Sequence, residues 1–259
     1  MKKETKKSSG LPLSIIALVF VLVVIGGFWF YNTSRPATTP AANRATATST
    51  PAQQQQAAAN APLGAPVGVN MLGSPSAAVT IEEFADYQCG ACASIHPTMK
   101  EVQTAYAGNR NFRFIFRHYP LSIPAHDKSY DASVATEAAG LQGKFWQMQD
   151  QLFRNQQAWT ANPNYRDIWV GYAENIGMNA EKFKSDLAGL QTKARVDADL
   201  ARGRALSVTS TPSIFVNGRL VPFAEVNTTS LRRIIDAEIQ QAGTQTPGSA
   251  SNNGSANTQ

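Results

Sequence analysis

The chain of 259 residues contains two cysteines, Cys89 and Cys92, which are separated by Gly90 and Ala91. They lie where an apolar strand pattern changes into a helical one. A disulfide across two residues closes only when the backbone enters the first turn of a helix, which directs free amide groups and the positive dipole end towards the first sulfur. We therefore predict an activated thiolate at Cys89. The two sulfurs can pair with each other, stay free or exchange with another molecule.

Two other interpretations of the cysteine pair are weaker. A zinc site of this spacing needs two more cysteine or histidine ligands, and His96, His118 and His126 form no second ligand pair. A purely structural disulfide is an alternative, but such a short loop restricts the unfolded chain little. We expect no metal or cofactor, and we interpret the three histidines as surface or loop groups rather than catalytic ones.

The N-terminal sequence predicts a membrane anchor. Four lysines within residues 1–10 precede an uncharged, apolar run over residues 11–31, which is long enough to cross a bilayer of roughly 30 Å. The run ends in four aromatic residues, as expected at a membrane interface, and exceeds the apolar region of about 7–15 residues in a cleaved signal peptide. The lysines place residues 1–10 in the cytoplasm. We therefore expect a single-pass protein of the bacterial plasma membrane whose remaining chain is extracytoplasmic; a cleaved signal peptide is the alternative.

The net charge of +5 is confined to the N-terminal region, because six basic residues and one acidic residue precede position 45. The rest of the chain is electroneutral and offers no phosphate-binding stripe, so we expect no nucleic-acid partner. Residues 32–66 are rich in Ala, Thr, Pro, Ser and Gln and predict a disordered linker. Residues 243–259 predict a disordered tail, which leaves 67–242 as one folded domain.

The domain sequence predicts an α/β fold. A strand over residues 79–84 precedes the cysteine helix, and alternating phenylalanines predict the next strand at 112–117, which gives a parallel pair with a right-handed crossover. Asn217-Gly218 predicts a hairpin between strands 213–216 and 219–223, followed by a closing helix. This is the thioredoxin arrangement. Residues 124–206 lack a strand pattern and predict a helical insertion, whose aromatic stripes we interpret as core rather than as a peptide groove.

Three segments resemble the DsbA family of thiol:disulfide oxidoreductases, and most closely its membrane-anchored branch. They are VTIEEFADYQCGAC at 79–92, GLQGKFW at 140–146 and TSTPSIFVNG at 209–218. Their order and the helical insertion between the thioredoxin halves make this resemblance more specific than the cysteine pair alone.

The resemblance implies roles for individual residues. Cys89 becomes the exposed nucleophile that forms a mixed disulfide, and Cys92 the more buried partner that resolves it. Thr211-Pro212 is similar to the family's cis-proline loop, where backbone binds an extended substrate beside Gly90 and Ala91. Glu83 matches a buried acid that relays the proton of the second cysteine, with a raised pKa. An ordinary trans proline and an exposed strand carboxylate are the respective alternatives.

The family's strongly oxidising members carry a histidine between the cysteines, whereas Gly90-Ala91 adds no charge. We therefore expect an oxidant weaker than those members and stronger than thioredoxin. The implied function is to introduce disulfides into exported unfolded or cysteine-containing proteins, with a membrane redox partner that reoxidises the cysteine pair. The alternatives are a reductase or isomerase of the same fold, and a non-catalytic binding or chaperone module.

Overall fold

The computed structural model describes residues 50–244. The predicted cytoplasmic segment, the anchor at 11–31 and the tail beyond residue 244 lie outside this range. Within residues 50–244, each helix is too short or too polar to cross a bilayer.

A five-stranded sheet forms the centre of the domain, in the order β1-β3-β2-β4-β5. Strands β2 and β3 are parallel, and the other neighbours are antiparallel. The strands are β1 Met71–Gly73, β2 Val79–Ala85, β3 Phe112–His118, β4 Ser213–Val216 and β5 Arg219–Leu220. The predicted parallel pair and hairpin are present, although the last strand ends before Pro222 rather than continuing to residue 223.

The helices follow the predicted plan, since α2 connects the two parallel strands, six helices form the insertion and α9 closes the domain. Their bounds are α1 Pro51–Asn60, α2 Gly90–Ala105, α3 Ser129–Gly140, α4 Phe145–Arg154, α5 Gln156–Thr160, α6 Tyr165–Asn175, α7 Ala180–Leu187, α8 Leu190–Ala205 and α9 Thr228–Thr244. The insertion's aromatic stripes are core: Phe145, Leu152 and Trp169 are almost completely buried.

Strand β2 separates two sets of buried side chains. Val79 and Ile81 point to the face that packs against α2, α9 and the insertion, where the main core lies. Phe84 points to the opposite face and packs with Tyr119 and Phe215 in a smaller cluster. Since successive side chains of a strand alternate between the faces, Glu82 and Glu83 lie on opposite sides of the sheet.

The predicted disordered linker is wrong for its described part. Helix α1 begins after Thr50, whose hydroxyl accepts the Gln53 amide while the Gln53 side chain accepts the Thr50 amide. This capping box and Pro51 at the first helical position stabilise the start of the helix. A composition rich in Ala and Gln is therefore compatible with a short capped helix.

Residues after α1 also belong to the folded domain. Pro62 O accepts a hydrogen bond from Arg202 at 2.9 Å, and Ala65 O accepts one from Arg117 at 2.8 Å. The Ala65 amide donates to Asp199 at 2.8 Å. The linker prediction rested on the small number of apolar side chains that this segment could bury. The contacts of residues 62–65 are instead made by backbone carbonyl and amide groups. The folded domain therefore begins before residue 67, and α9 extends it to Thr244.

Candidate active site

Cys89 occupies the cap position before the first turn of α2, with extended backbone angles of φ −72° and ψ 117°. Its carbonyl accepts the Ala93 amide at 3.1 Å, which closes the first helical turn. The pKa of Cys89 is lowered to about 5, mainly by a hydrogen bond from the Cys92 thiol, whereas burial acts in the opposite direction. The Thr211 side chain and the Cys92 and Ala91 amides lower it further. The helix start thus stabilises a thiolate at Cys89.

The two sulfurs have different environments. Cys92 is fully buried, while 8% of Cys89 remains accessible. Burial raises the pKa of Cys92, and the Cys89 hydrogen bond and charge raise it further. Both cysteines are free thiols in this structure. Cys89 is therefore the more accessible sulfur, although it is far less exposed than the term exposed nucleophile suggests.

Strand β4 brings the proline loop to the cysteines, because Ser213 pairs with Phe84 near the end of β2. The Thr211-Pro212 peptide bond is cis. In its thiol form, Cys89 Sγ donates to Thr211 O at 3.3 Å. The Thr211 hydroxyl is buried and has no partner with hydrogen-bond geometry within residues 50–244. Backbone and side chain of Thr211 therefore both face the reactive sulfur.

Gly90 and Ala91 lie at the rim of this site. Gly90 is exposed and Ala91 is half-buried. A Cβ atom added at Gly90 would meet no atom within 4 Å. The surface beside Cys89 is therefore open to another molecule.

Glu83 lies on β2 below the cysteine helix and is buried. Burial raises its pKa to about 8. No hydrogen bond or ion pair from residues 50–244 holds its carboxyl group. Its charge is one of the causes that raise the pKa of Cys92. Glu83 is thus a carboxyl group that can hold or release a proton near neutral pH, close to the buried sulfur.

Gln156, at the start of α5, is a site residue that the sequence analysis missed. Its side-chain amide donates to Tyr87 O at 2.8 Å and to Cys89 O at 3.0 Å. The helical insertion thereby fixes the backbone on both sides of Gln88. No local pattern marks a glutamine that acts 67 residues from its partner.

Asp86 is a second residue that the sequence did not reveal. Its buried carboxylate accepts four hydrogen bonds and fixes the turn before α2. The donors are the Gln88 amide at 2.7 Å, the Ser129 hydroxyl at 2.5 Å, the Leu121 amide at 2.8 Å and His126 Nδ1 at 2.7 Å. His126 lies in the short turn 124–126, in agreement with the predicted loop position.

The expectation of surface or loop positions is wrong for the other two histidines. His96 is buried on α2, with Nε2 3.0 Å from Asp150, and burial lowers its pKa. His118 is fully buried at the end of β3, with Nε2 3.1 Å from Glu137. A carboxylate partner makes burial of an imidazole feasible. Within residues 50–244, no cluster of three His, Cys, Asp or Glu side chains has the geometry of a metal site.

Comparison with known proteins identifies the family of this domain. A thioredoxin family model matches residues 67–237, which cover most of the chain. The chain belongs to the thioredoxin family. A thioredoxin-like oxidoreductase from Silicibacter pomeroyi is 25% identical, with a TM-score of 0.53 over 68% of this chain and 92% of that protein. Wolbachia pipientis alpha-DsbA1 is 17% identical, with a TM-score of 0.58 over 71% and 97%. The thioredoxin-like fold with a helical insertion, and its likeness to DsbA proteins, are confirmed.

Curated relatives of this thioredoxin-family chain include a larger protein. The Na(+)/H(+) antiporter NhaA 1 of Mycolicibacterium gilvum is 32% identical over 167 residues, which are 60% of this chain and 26% of the antiporter. The chain spans about a quarter of the length of this relative, so the similarity concerns one part of the antiporter. The transport activity in that protein's name does not follow for this chain.

Proposed function

We propose that the domain is a thiol:disulfide oxidoreductase that donates the Cys89-Cys92 disulfide to cysteine-containing proteins. The unequal pair of sulfurs carries this proposal. Cys89 keeps a small accessible surface and has a pKa of about 5, whereas Cys92 is fully buried and its pKa is raised. Cys89 is suited to form the mixed disulfide with a client. Cys92 is suited to be the leaving group in that step and to re-form the internal disulfide later.

The disulfide exchange proceeds in two steps. A client thiolate attacks Cys89 Sγ of the disulfide, which breaks the sulfur–sulfur bond, and Cys92 leaves as a thiolate that takes a proton from Glu83. A second client thiolate then attacks the client sulfur of the mixed disulfide, and Cys89 leaves as the stabilised thiolate. The client loses two electrons, and the cysteine pair gains them. Thr211 is placed to pair with the extended client backbone during both steps.

The direction of exchange follows from the stability of the Cys89 thiolate. A low pKa at Cys89 stabilises the reduced form, so the disulfide is readily given away. Gly90-Ala91 adds no positive charge, and the oxidising strength is therefore moderate. A membrane redox partner is needed to remove the two electrons afterwards. The N-terminal lysines and the apolar run at 11–31 support an extracytoplasmic site of action on an anchored protein.

The reduction potential tests the direction. Equilibration with glutathione buffers should give a value above that of thioredoxin, about −270 mV. A value at or below that of thioredoxin would favour a reductase. Changing both cysteines to alanine should abolish all activity, whereas a binding or chaperone module would retain it.

Trapping tests the roles of the two sulfurs. Cys92→Ser should accumulate mixed disulfides with client proteins through Cys89, visible on non-reducing gels, and Cys89→Ser should trap few. Equal trapping by both variants would contradict the assignment. Fractionation and external protease treatment of cells test the anchor, since a soluble product that begins near residue 40 would show a cleaved signal.

A further inference from the structure

One face of α2 continues from the nucleophile into a groove. Spacings of four, four, three and four residues place five residues along one side of the helix. They are Cys89, Ala93, Pro97, Lys100 and Thr104. All except Cys89 line a cavity of about 810 Å³. Its floor is therefore the helix face that starts at the reactive sulfur.

The groove lies along α2 beyond the first turn after Cys89, which is not itself a lining residue. Phe153 and Arg154 of α4 form one wall, and Arg232 of α9 lies on the other. A second cavity of about 440 Å³ shares Phe153 and Arg154 with the first and reaches Gln156, whose amide binds Cys89 O. Through these shared residues the two cavities reach from Gln156, which contacts the active-site backbone, to the start of α9.

The rim of the groove presents positive charge. Asp150 accepts ion pairs from Lys100 at 2.9 Å and from Arg154 at 3.1 Å. The Asp150 side chain is only 21% exposed, whereas Lys100 is 44% exposed and Arg154 is 68% exposed. The carboxylate thus lies behind its two cations.

The other charged groups that line the groove are Arg232, Glu101 and, when protonated, His96. Arg232 forms no ion pair with residues 50–244, and Glu101 accepts a hydrogen bond from the Thr228 hydroxyl at 2.6 Å. His96 contributes little charge near pH 7, because burial lowers its pKa. The net charge of the groove is +1, from three cations and the carboxylates of Asp150 and Glu101. Asp236, four residues beyond Arg232 on α9, lies in the neighbouring cavity.

We propose that this groove binds an extended, acidic segment of the client protein beside the reacting cysteine. Lys100 lies eleven residues beyond Cys89, roughly 16 Å along a helix that rises about 1.5 Å per residue. An extended chain covers this distance in about five residues at roughly 3.3 Å each. The acidic residues therefore belong about five positions from the client cysteine. The inference rests on the proposed function and names its preferred substrate class.

Dithiol peptides provide a direct test. Three peptides differ only at two positions, about five residues from the first cysteine. These positions carry two Glu, two Gln or two Lys residues. The oxidised protein is mixed with each peptide at low ionic strength, and the second-order rate of peptide oxidation is measured. Dithiothreitol oxidation is measured in parallel as a reaction that needs no groove.

The wild type should oxidise the Glu peptide about threefold to fivefold faster than the Gln peptide, and the Lys peptide more slowly, as expected for exposed charge pairs. Arg154→Glu combined with Arg232→Glu should reverse this order. Arg232→Gln should weaken it, which provides a milder variant. Arg204→Glu, an exposed change on α8, is the matched control and should keep the wild-type order.

Equal rates for the three peptides in the wild type would overturn the inference, as would an unchanged preference in the double variant. If the protein oxidised neither dithiothreitol nor any of the three peptides, the proposed function would be overturned, and the groove proposal with it. Added salt should reduce the preference for the Glu peptide while leaving dithiothreitol oxidation nearly unchanged.

Discussion

Glu82 and Glu83 are neighbours on β2, are both buried, and have opposite properties. Glu82 accepts hydrogen bonds from Arg117 at 2.9 Å and from Arg202 at 2.7 and 2.5 Å. Burial opposes its ionisation, but Arg202 and Arg117 outweigh burial and lower its pKa. No cation from the described residues contacts Glu83, and burial raises its pKa to about 8.

The comparison shows that burial alone does not decide what a carboxylate does. The face of the sheet that holds Glu82 supplies two arginines, and the residue becomes a fixed charge that joins β2, β3 and α8. The face that holds Glu83 supplies apolar side chains and a cysteine helix, and the carboxyl group keeps its proton near neutral pH. One residue stabilises the fold, while its neighbour is available for proton transfer.

The largest expected effect is on stability. Glu82→Gln should lower the free energy of unfolding by about 3–5 kcal/mol, because Arg202 and Arg117 lose a buried carboxylate partner. Urea denaturation at neutral pH measures this loss, and Glu83→Gln is the comparison, which should lose no stability. An equal loss in both variants would show that the two carboxylates do not differ in the way described.

The second effect is a pH-dependent gain in the free energy of unfolding, caused by Glu83→Gln. Below about pH 4.5 Glu83 is protonated in both folded and unfolded chains, whereas between about 4.5 and 8 only the folded chain keeps its proton. Rising pH therefore favours unfolding across this range, by about 1.4 kcal/mol per pH unit at most. Glu83→Gln should remove this loss and be the more stable protein at pH 8 by a few kcal/mol. Parallel stability curves for the two proteins would contradict the raised pKa.

The third effect is on the rate of exchange. Glu83→Gln should slow disulfide exchange about tenfold or more near neutral pH, since Cys92 loses its proton donor and acceptor. Stopped-flow kinetics with a dithiol peptide measure the rate. Refolded Glu82→Gln provides the comparison and should retain most of its exchange rate. Unchanged kinetics across pH in Glu83→Gln would remove this residue from the mechanism.

The smallest effect concerns the insertion. Gln156→Ala should raise the pKa of Cys89 by about half a unit, because losing the hydrogen bond to Cys89 O loosens the turn that directs the helix amides at the sulfur. Ultraviolet absorbance of the thiolate across pH measures the shift. Gln157→Ala, an exposed neighbouring change, is the control and should leave the titration in place. A shift in both variants would point to a general weakening of α5.

Local patterns predicted much of the fold and the centre of the site. The cysteine spacing located the start of α2, Asn217-Gly218 located the hairpin, and helical periodicity located the insertion, because each signal involves residues close in sequence. Glu83 was found from its place in a motif and from strand alternation.

The contacts that the sequence did not reveal join distant segments. Gln156 and Cys89 are 67 residues apart, and Ala65 and Asp199 are 134 residues apart. Composition indicated a disordered segment before residue 67 because it counts apolar side chains and not carbonyl groups bound by buried arginines. The burial of His96 likewise depends on Asp150, which is supplied by a different helix.

The attachment of residues 62–65 determines how a mechanical load would enter the domain. Tension on the chain that leads into α1 would first load the contact of α1 with β5, where the Leu220 amide donates to the Gln54 side chain at 3.2 Å. It would then pass through Pro62 O to Arg202, and through Ala65 to Asp199 and Arg117. These residues lie with Glu82, on the face of the sheet opposite to Glu83. A pull from the N-terminal side would therefore be shared among β5, α8 and β3. The leading segment is held by three elements of the fold, and none of them contains Cys89 or Cys92.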